Sequence, residues 1–408
     1  MPADYAARFD RVERTMAATH NTIMGLVNGR VLLPGGEFAK TEIAFREGHV
    51  AEVGGGSARR CIDAAGLLVL PGMVDIHGDA FERQLAPRPE VSFPLDMAMA
   101  DSDRQLVANG ITTAFHGITC SWEGGLRGIE SARALVKHLA AARRMNGSGP
   151  FSADNRVHLR FENHNVEAAD EVQQWLEEGL VDFLAFNDHL PAIARRMADD
   201  GRVAKYAERA GVSVARFREI VDATQARRDE VPDVVRRLAE RARGAGVRMA
   251  SHDDTSPEDR RYYQALGCEI AEFPMTREAA LLARELANPV IMGAPNVVRG
   301  GSHIGLVRAA DMVQEGTCSV LASDYFYPAM LAAPFHLARD GVLPIADAWP
   351  LVSRNPARAA GLDDRGDIAP GQRADLLLVD DSRSGAPRVV ATLVAGELCH
   401  VTRHLALH

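Results

Sequence analysis

Residues 247–295 read VRMASHDDTSPEDRRYYQALGCEIAEFPMTREAALLARELANPVIMGAP. Three short apolar runs, VRMASHD, CEIAEFP and PVIMGAP, are separated by two stretches rich in Arg, Glu and Ala. Near-continuous apolar runs alternating with helical stretches are the pattern of a parallel sheet with crossover helices. The alternation continues outward in both directions, through LVLPGMVDIH, ITTAFHGIT, VHLRFENH and VDFLAFNDH upstream and CSVLASD downstream. Eight such strands are the number that closes a (β/α)8 barrel, so the expected fold class is α/β with a barrel over residues 71–364.

The two ends of the chain read differently. IMGLVNGRVLLPGG and EIAFREGHVAEVGG near the start, and ADLLLVD and PRVVATLVAGELCHV near the end, alternate apolar and polar residues and break at Asn-Gly, Gly-Gly and Ala-Gly. These are hairpin signals. They predict one small β-sandwich assembled from residues 23–70 and 365–403, with residues 1–22 as an N-terminal helical extension. One connection, 191–246, is too long for a simple crossover. The spacing of Val214, Phe217, Ile220 and Val221, then Val231, Val234, Val235 and Leu238, predicts an inserted helical subdomain there.

Composition narrows the function classes. The 408 residues are 47% hydrophobic and 25% charged, which is ordinary for a globular chain. With 55 acidic against 46 basic residues the net charge is −9, which argues against nucleic-acid and membrane-surface partners. An anionic ligand must therefore meet a local Arg cluster. The five cysteines are scattered, with no CxxC pair, and no apolar run reaches membrane-spanning length. With no apolar signal segment in the first twenty residues, a cytoplasmic protein with reduced thiols is expected.

Most predicted barrel strands end in ionisable groups: His77 and Asp79, His116, Glu162 to Asn165, Asp188 and His189, His252 and Asp253, Glu272, and Asp324. Catalytic residues of such barrels sit at the C-terminal strand ends. Residues two apart on a strand share a side, so His77 and Asp79 can serve one cation together. With Glu162, His189, His252 and Asp324 they make six nitrogen and oxygen ligands, a set that suits two divalent ions ~3.5–4 Å apart. Zinc is the first choice, with manganese, iron or nickel as alternatives.

The order PGMVDIHGD, the late SD after an apolar strand, and the tail SRNPARAAGLDDRGDIAPGQRADLLLVD resemble the amidohydrolase superfamily over nearly the whole chain. That superfamily pairs a metal-bearing barrel with a small β-sandwich built from both chain ends. Most members end strand one with HxH, whereas this chain has HxD, with Asp79 in the second slot. DIHGDAFERQLAPRPE, HLRFENHN, AFNDHLP, MASHDDTSPE, GAPNVVRGGSH and ASDYFYPAML look like the PhnM branch. Its members are diphosphatases of bacterial phosphonate degradation, acting on α-D-ribose 1-methylphosphonate 5-triphosphate to leave the 5-phosphate and pyrophosphate. The resemblance implies that Asp324 binds an ion and takes the proton as water attacks. It also implies that Glu162 is a bridging or deep carboxylate, with His164 and Asn165 as competitors.

A small, anionic, phosphorylated substrate needs cations at the barrel mouth. Arg83 and Arg88 follow strand one; Arg299 and His303 lie in the glycine-containing loop after strand seven, where barrels commonly bind phosphate. His116 reads as a core hydrogen-bonding group or one that orients substrate, Asp253 as a support for a ligating imidazole, and Cys120 and Cys268 as buried apolar groups. Two other readings stand beside the diphosphatase. One is an amidohydrolase or deaminase acting on a cyclic amide or N-acyl compound; the other is a metal-free, non-catalytic relative. A homo-oligomer is the expected assembly.

Overall fold

Short β-branched runs at the chain start give, among the described residues, seven strands: β1 (Met24–Val27), β2 (Arg30–Leu32), β3 (Phe38–Lys40), β4 (Ile43–Arg46), β5 (His49–Val53), β6 (Arg60–Asp63) and β7 (Leu68–Pro71). The buried apolar runs that follow give β8 (Met73–Gly78), β9 (Ile111–Cys120), β10 (Asp154–Glu162), β11 (Phe183–Asn187), β12 (Arg248–His252), β13 (Ile270–Glu272), β14 (Val290–Gly293) and β15 (Val320–Ala322). The tail adds β16 (Leu376–Asp380), β17 (Arg388–Val394) and β18 (Glu397–Val401). The computed structural model describes residues 24–88, 91–144, 149–301, 307–382, 386–403 and 405–406. The expected extension at 1–22 and His303 lie outside them.

Strands β8 to β15 pair in sequence order, each parallel to the next. The seam between β15 and β8 is joined by a parallel bridge of Gly78 with Asp324. There the Asp324 N–H donates to the His77 carbonyl and the Asp79 N–H to the Asp324 carbonyl, both at 2.9 Å. The chain is an eight-stranded α/β barrel. Val74, Ile76, Phe115, Phe183, Ala250, Ile291 and Val320 form a packed cluster of buried side chains contributed by its strands.

The terminal strands form two further sheets, ordered β5-β4-β1-β6 and β18-β17-β16-β7-β2-β3. Antiparallel pairing of β16 with β7 stitches the two chain ends together, and Leu26, Ile43, Val69, Leu376 and Leu393 share one core. The sequence run LVLPGMVDIH divides at Gly72, so its first half serves the outer sheet and its second the barrel. Gly72 donates its N–H to the Asp375 carbonyl at 2.8 Å, and a Cβ there would lie 2.4 Å from Thr112 Oγ1. Only glycine fits that crossing.

The long connection also divides. Helices Leu190–Ala194, Asp200–Ala210 and Val214–Ala226 enclose their own small core of Leu190, Ile193, Val203, Ala207, Phe217 and Val221. Asp199 and Ser213 cap two of them, each side chain accepting a backbone N–H three residues on. Helix Val231–Gly244 instead buries Val235, Leu238, Ala239 and Ala242 in the core shared with β10 and β11, as a crossover helix does. No helix among the described residues is long and apolar enough to cross a membrane.

Candidate metal centre

The chain leaves three barrel strands in the left-handed conformation: Asp253 after β12 (φ 61°), Phe273 after β13 (φ 52°) and Asp324 after β15 (φ 54°). Asp tolerates this region; for a bulky Phe it is costly, and such strain gathers at functional sites. Asp253 and Asp324 flank a cavity of about 250 Å³ whose lining includes His77, Asp79, Arg160, His252, Asp253, Arg299, Asp324 and Tyr325.

Below this cavity the seam is locked by Asp75. Its buried carboxylate accepts from the Ser323 N–H at 3.0 Å, the Ser323 hydroxyl at 2.6 Å and the His77 N–H at 3.3 Å. Burial raises its pKa to about 6 against these bonds. Gly78 is required here, because a Cβ would fall 2.7 Å from Asp75 Oδ2 and 2.9 Å from Ser323 Oγ. The lock presents His77 and Asp79 from one edge of the seam and Asp324 from the other.

Potential ligand atoms gather in three overlapping groups, each within 4.8 Å: His77, Asp79 and Asp324; His189, His252 and Asp253; His77, His252 and Glu272. The His77 and His252 rings stack with centroids 5.3 Å apart, so the groups are contiguous. Glu272 is fully buried, and its two oxygens lie 2.8 Å from His77 Nδ1 and His252 Nδ1 respectively. The His252 contact is a hydrogen bond, and a carboxylate behind an imidazole fixes its tautomer and turns Nε2 outward as a lone pair; the His77 contact is close but lacks hydrogen-bond geometry. Burial, and then Arg160, holds the pKa of His77 at about 3 and that of His252 well below the ordinary range, so both are neutral and able to ligate.

The second pair differs. His189 Nδ1 lies 2.5 Å from Glu162 Oε1, its N–H donates to Glu162 Oε2 at 3.3 Å, and Nε2 lies 3.3 Å from Asp253 Oδ2. Burial opposes its charge, but Glu162 and Asp253 override it and lift the pKa to about 10. Burial likewise opposes the charged form of Glu162, and His189 outweighs it and lowers that pKa. Without a metal ion, a proton on His189 is the positive charge these carboxylates share. Asp324 is raised to about 7, by burial first and the Asp79 charge second. Imidazole nitrogens and carboxylate oxygens in this number fit one or two borderline divalent cations; the clustered acids need positive charge that Arg160 and His189 supply only in part.

Of the six expected ligands, His77, Asp79, His189, His252 and Asp324 fall in these groups. Glu162 instead stands behind His189, joined to it by two contacts. Asp253, expected as a support, is turned into the cavity by its left-handed backbone. Glu272 and Arg160 were missed. Glu272 was visible as the acid ending strand six, and Arg160 lies two residues before Glu162, on the same side of β10. Of the expected substrate-binding cations, Arg299 lines the cavity and donates to the Tyr325 hydroxyl at 3.2 Å. Exposed Arg83 lies over the Tyr325 ring at 5.8 Å. Arg88 is exposed, bridged to Val91, and outside the lining.

The other sequence candidates sit in the framework. His116 lies 2.6 Å from Asn155 Oδ1, and burial lowers its pKa to about 4. Cys120 and Cys268 are buried, their thiols pushed up to about 12 chiefly by burial. His164 Nε2 lies 3.4 Å from Asp188, and Asn165 bonds to the Cys120 carbonyl at 3.3 Å.

Residues 113–400 match the model of the amidohydrolase family. The chain belongs to this family and is a metal-dependent hydrolase. It is 31% identical over 373 residues to the α-D-ribose 1-methylphosphonate 5-triphosphate diphosphatase of Escherichia coli K12, covering 86% of this chain and 94% of that one. An adenine deaminase of Methylobacterium nodulans is 27% identical over 384 residues, 88% of this chain and 55% of its own length. Among solved structures, 5-methylcytosine deaminase from Klebsiella pneumoniae superposes with a TM-score of 0.62 at 15% identity, covering 93% and 98% of the two chains.

Proposed function

We propose that this chain hydrolyses the 5-triphosphate of α-D-ribose 1-methylphosphonate 5-triphosphate to the 5-phosphate and pyrophosphate, with one or two divalent ions, zinc first, held by His77, Asp79, His189, His252, Asp253 and Asp324. The observation that carries the reading is the arginine Arg299, tied to Tyr325 on the lining of the cavity onto which these ligands open. A bound divalent ion would lower the pKa of water and neutralise charge on a phosphoryl oxygen.

The chain's own residues do the rest. Asp324, beside His77 and Asp79 at the seam and on the cavity lining, takes the proton of the attacking water and can return it to the leaving group. Glu272 and Glu162 hold the imidazoles of His252 and His189 in place. Arg299, with Arg83 beside the same tyrosine, receives the outer phosphates. The proposal places the enzyme in the cytoplasm, in keeping with five cysteines that are all unpaired.

Purified protein supplied with a divalent metal and the ribosyl triphosphate, followed by 31P NMR, is expected to yield pyrophosphate and the 5-phosphate. No pyrophosphate from that substrate overturns the reading. The similarity to deaminases favours C–N hydrolysis as the second reading. It predicts ammonia or carboxylate release and indifference to Arg299→Ala.

A further inference from the structure

β10 carries His158, Arg160 and Glu162 at alternate positions, on one side of the strand. Arg160 is 6% exposed, yet its guanidinium lines the same cavity as the candidate ligands. Nη2 lies 3.1 Å from His252 Nε2, Nη1 lies 3.4 Å from Asp79 Oδ2, and Nε has no hydrogen-bond partner. Room for it comes from Gly117 on β9, where a Cβ would lie 3.3 Å from Arg160 Cδ and 3.7 Å from His77 Nε2. Because Glu272 accepts at His252 Nδ1, the His252 Nε2 atom is a lone pair, and Arg160 donates to it.

Those two acceptors, His252 Nε2 and Asp79 Oδ2, are the atoms that the proposed ligation of a cation uses. A cation bound there leaves a buried guanidinium whose three nitrogens all need other acceptors, and unmet donors at such a site are costly. A phosphoryl group supplies both the negative charge and paired oxygens matched to the planar fork. A neutral amide or ring carbonyl supplies one oxygen and no charge, which leaves the arginine uncompensated. Arg299 is exposed, so among the described lining residues Arg160 is the buried arginine.

We propose that Arg160 is the specificity-determining residue of this site, binding a phosphoryl oxyanion beside the metal ligands and excluding uncharged substrates. This deepens the diphosphatase reading and rests on it. The test is a 31P NMR titration of inorganic phosphate into the metal-loaded protein and into Arg160→Met and Arg160→Lys, with metal content and thermal melting measured on each. Arg160→Met is expected to weaken phosphate binding roughly ten- to hundred-fold, with metal content and melting unchanged and part of the affinity restored in Arg160→Lys. Unchanged phosphate affinity overturns the inference. So does metal content falling in step with phosphate binding, since Arg160 would then only hold His252 and Asp79 in place. If the wild-type protein binds phosphate through Arg160 but releases no pyrophosphate from the triphosphate, the anion site stands and the proposed reaction falls.

Discussion

Replacing Glu272 with Gln tests the geometry behind the metal ligands without removing any of them. His252 Nδ1 donates to one of its oxygens at 2.8 Å, which leaves Nε2 free, and His77 Nδ1 lies 2.8 Å from the other. A carboxylate can accept from both; an amide has one accepting oxygen and one donating nitrogen. In Glu272→Gln the amide nitrogen must face one of the two Nδ1 atoms, and where it faces His252 it forces that imidazole into the tautomer that carries its proton on Nε2. Loss of such an orienting partner costs about 10- to 100-fold in metal affinity, or roughly 1.4–2.7 kcal/mol. Competition with a fluorescent chelator measures it.

The metal-free proteins should differ in the opposite sense. Burial raises the folded-state pKa of Glu272 from 4.5 to about 7, so wild-type stability falls as pH rises through that interval and the variant escapes the loss. At pH 8 the metal-free variant is expected to be the more stable by up to roughly 3 kcal/mol, with the difference vanishing near pH 4. Wild-type metal affinity in Glu272→Gln, or equal metal-free melting at pH 8, would refute the reasoning.

Asp324→Asn should reduce turnover by at least about 10²-fold while leaving circular dichroism near wild type and most of the metal in place, held by the remaining ligands; retained turnover removes its role as base. Gly78→Ala must displace Asp75 or Ser323, so it should lower both thermal stability and metal content, read from melting curves and elemental analysis. At the opposite end of β10, Asp154 is held at a pKa of about 2, because Arg156, Arg365 and Arg373 outweigh the burial that opposes its charge. A depressed carboxylate stabilises above its unfolded pKa and loses that contribution as pH falls toward 2. Asp154→Asn is thus expected to cost roughly 2 kcal/mol at pH 7, shrinking toward zero below pH 3 in melts across that range.

The barrel was legible because parallel strands buried on both faces leave unbroken apolar runs, and because hairpin turns mark the two outer stretches so plainly. His77, Asp79, His189, His252 and Asp324 were legible because each follows such a run. What the pattern did not reveal was direction. Whether Asp253 supports a ligand or faces the cavity turns on one left-handed residue, and whether Glu162 meets a cation or backs His189 turns on where His189, on the next strand's end, is placed. Nothing in the sequence singled out Arg160, because the room for it comes from Gly117, forty-three positions away on the adjacent strand. The sequence boundary between residues 70 and 71 fell within two residues of the division of LVLPGMVDIH at Gly72, but the reason for a glycine there did not show, because the clash that demands it comes from Thr112.

Imidazoles and carboxylates gathered at the barrel mouth are proposed to hold divalent cations. Elemental analysis of the gently purified protein, beside a His77→Ala/His252→Ala double variant that remains folded, tests this most directly. One to two ions per wild-type chain, lost from the double variant, is the expected result. A wild-type chain with well under one ion, and no uptake from added zinc or manganese, would contradict the account.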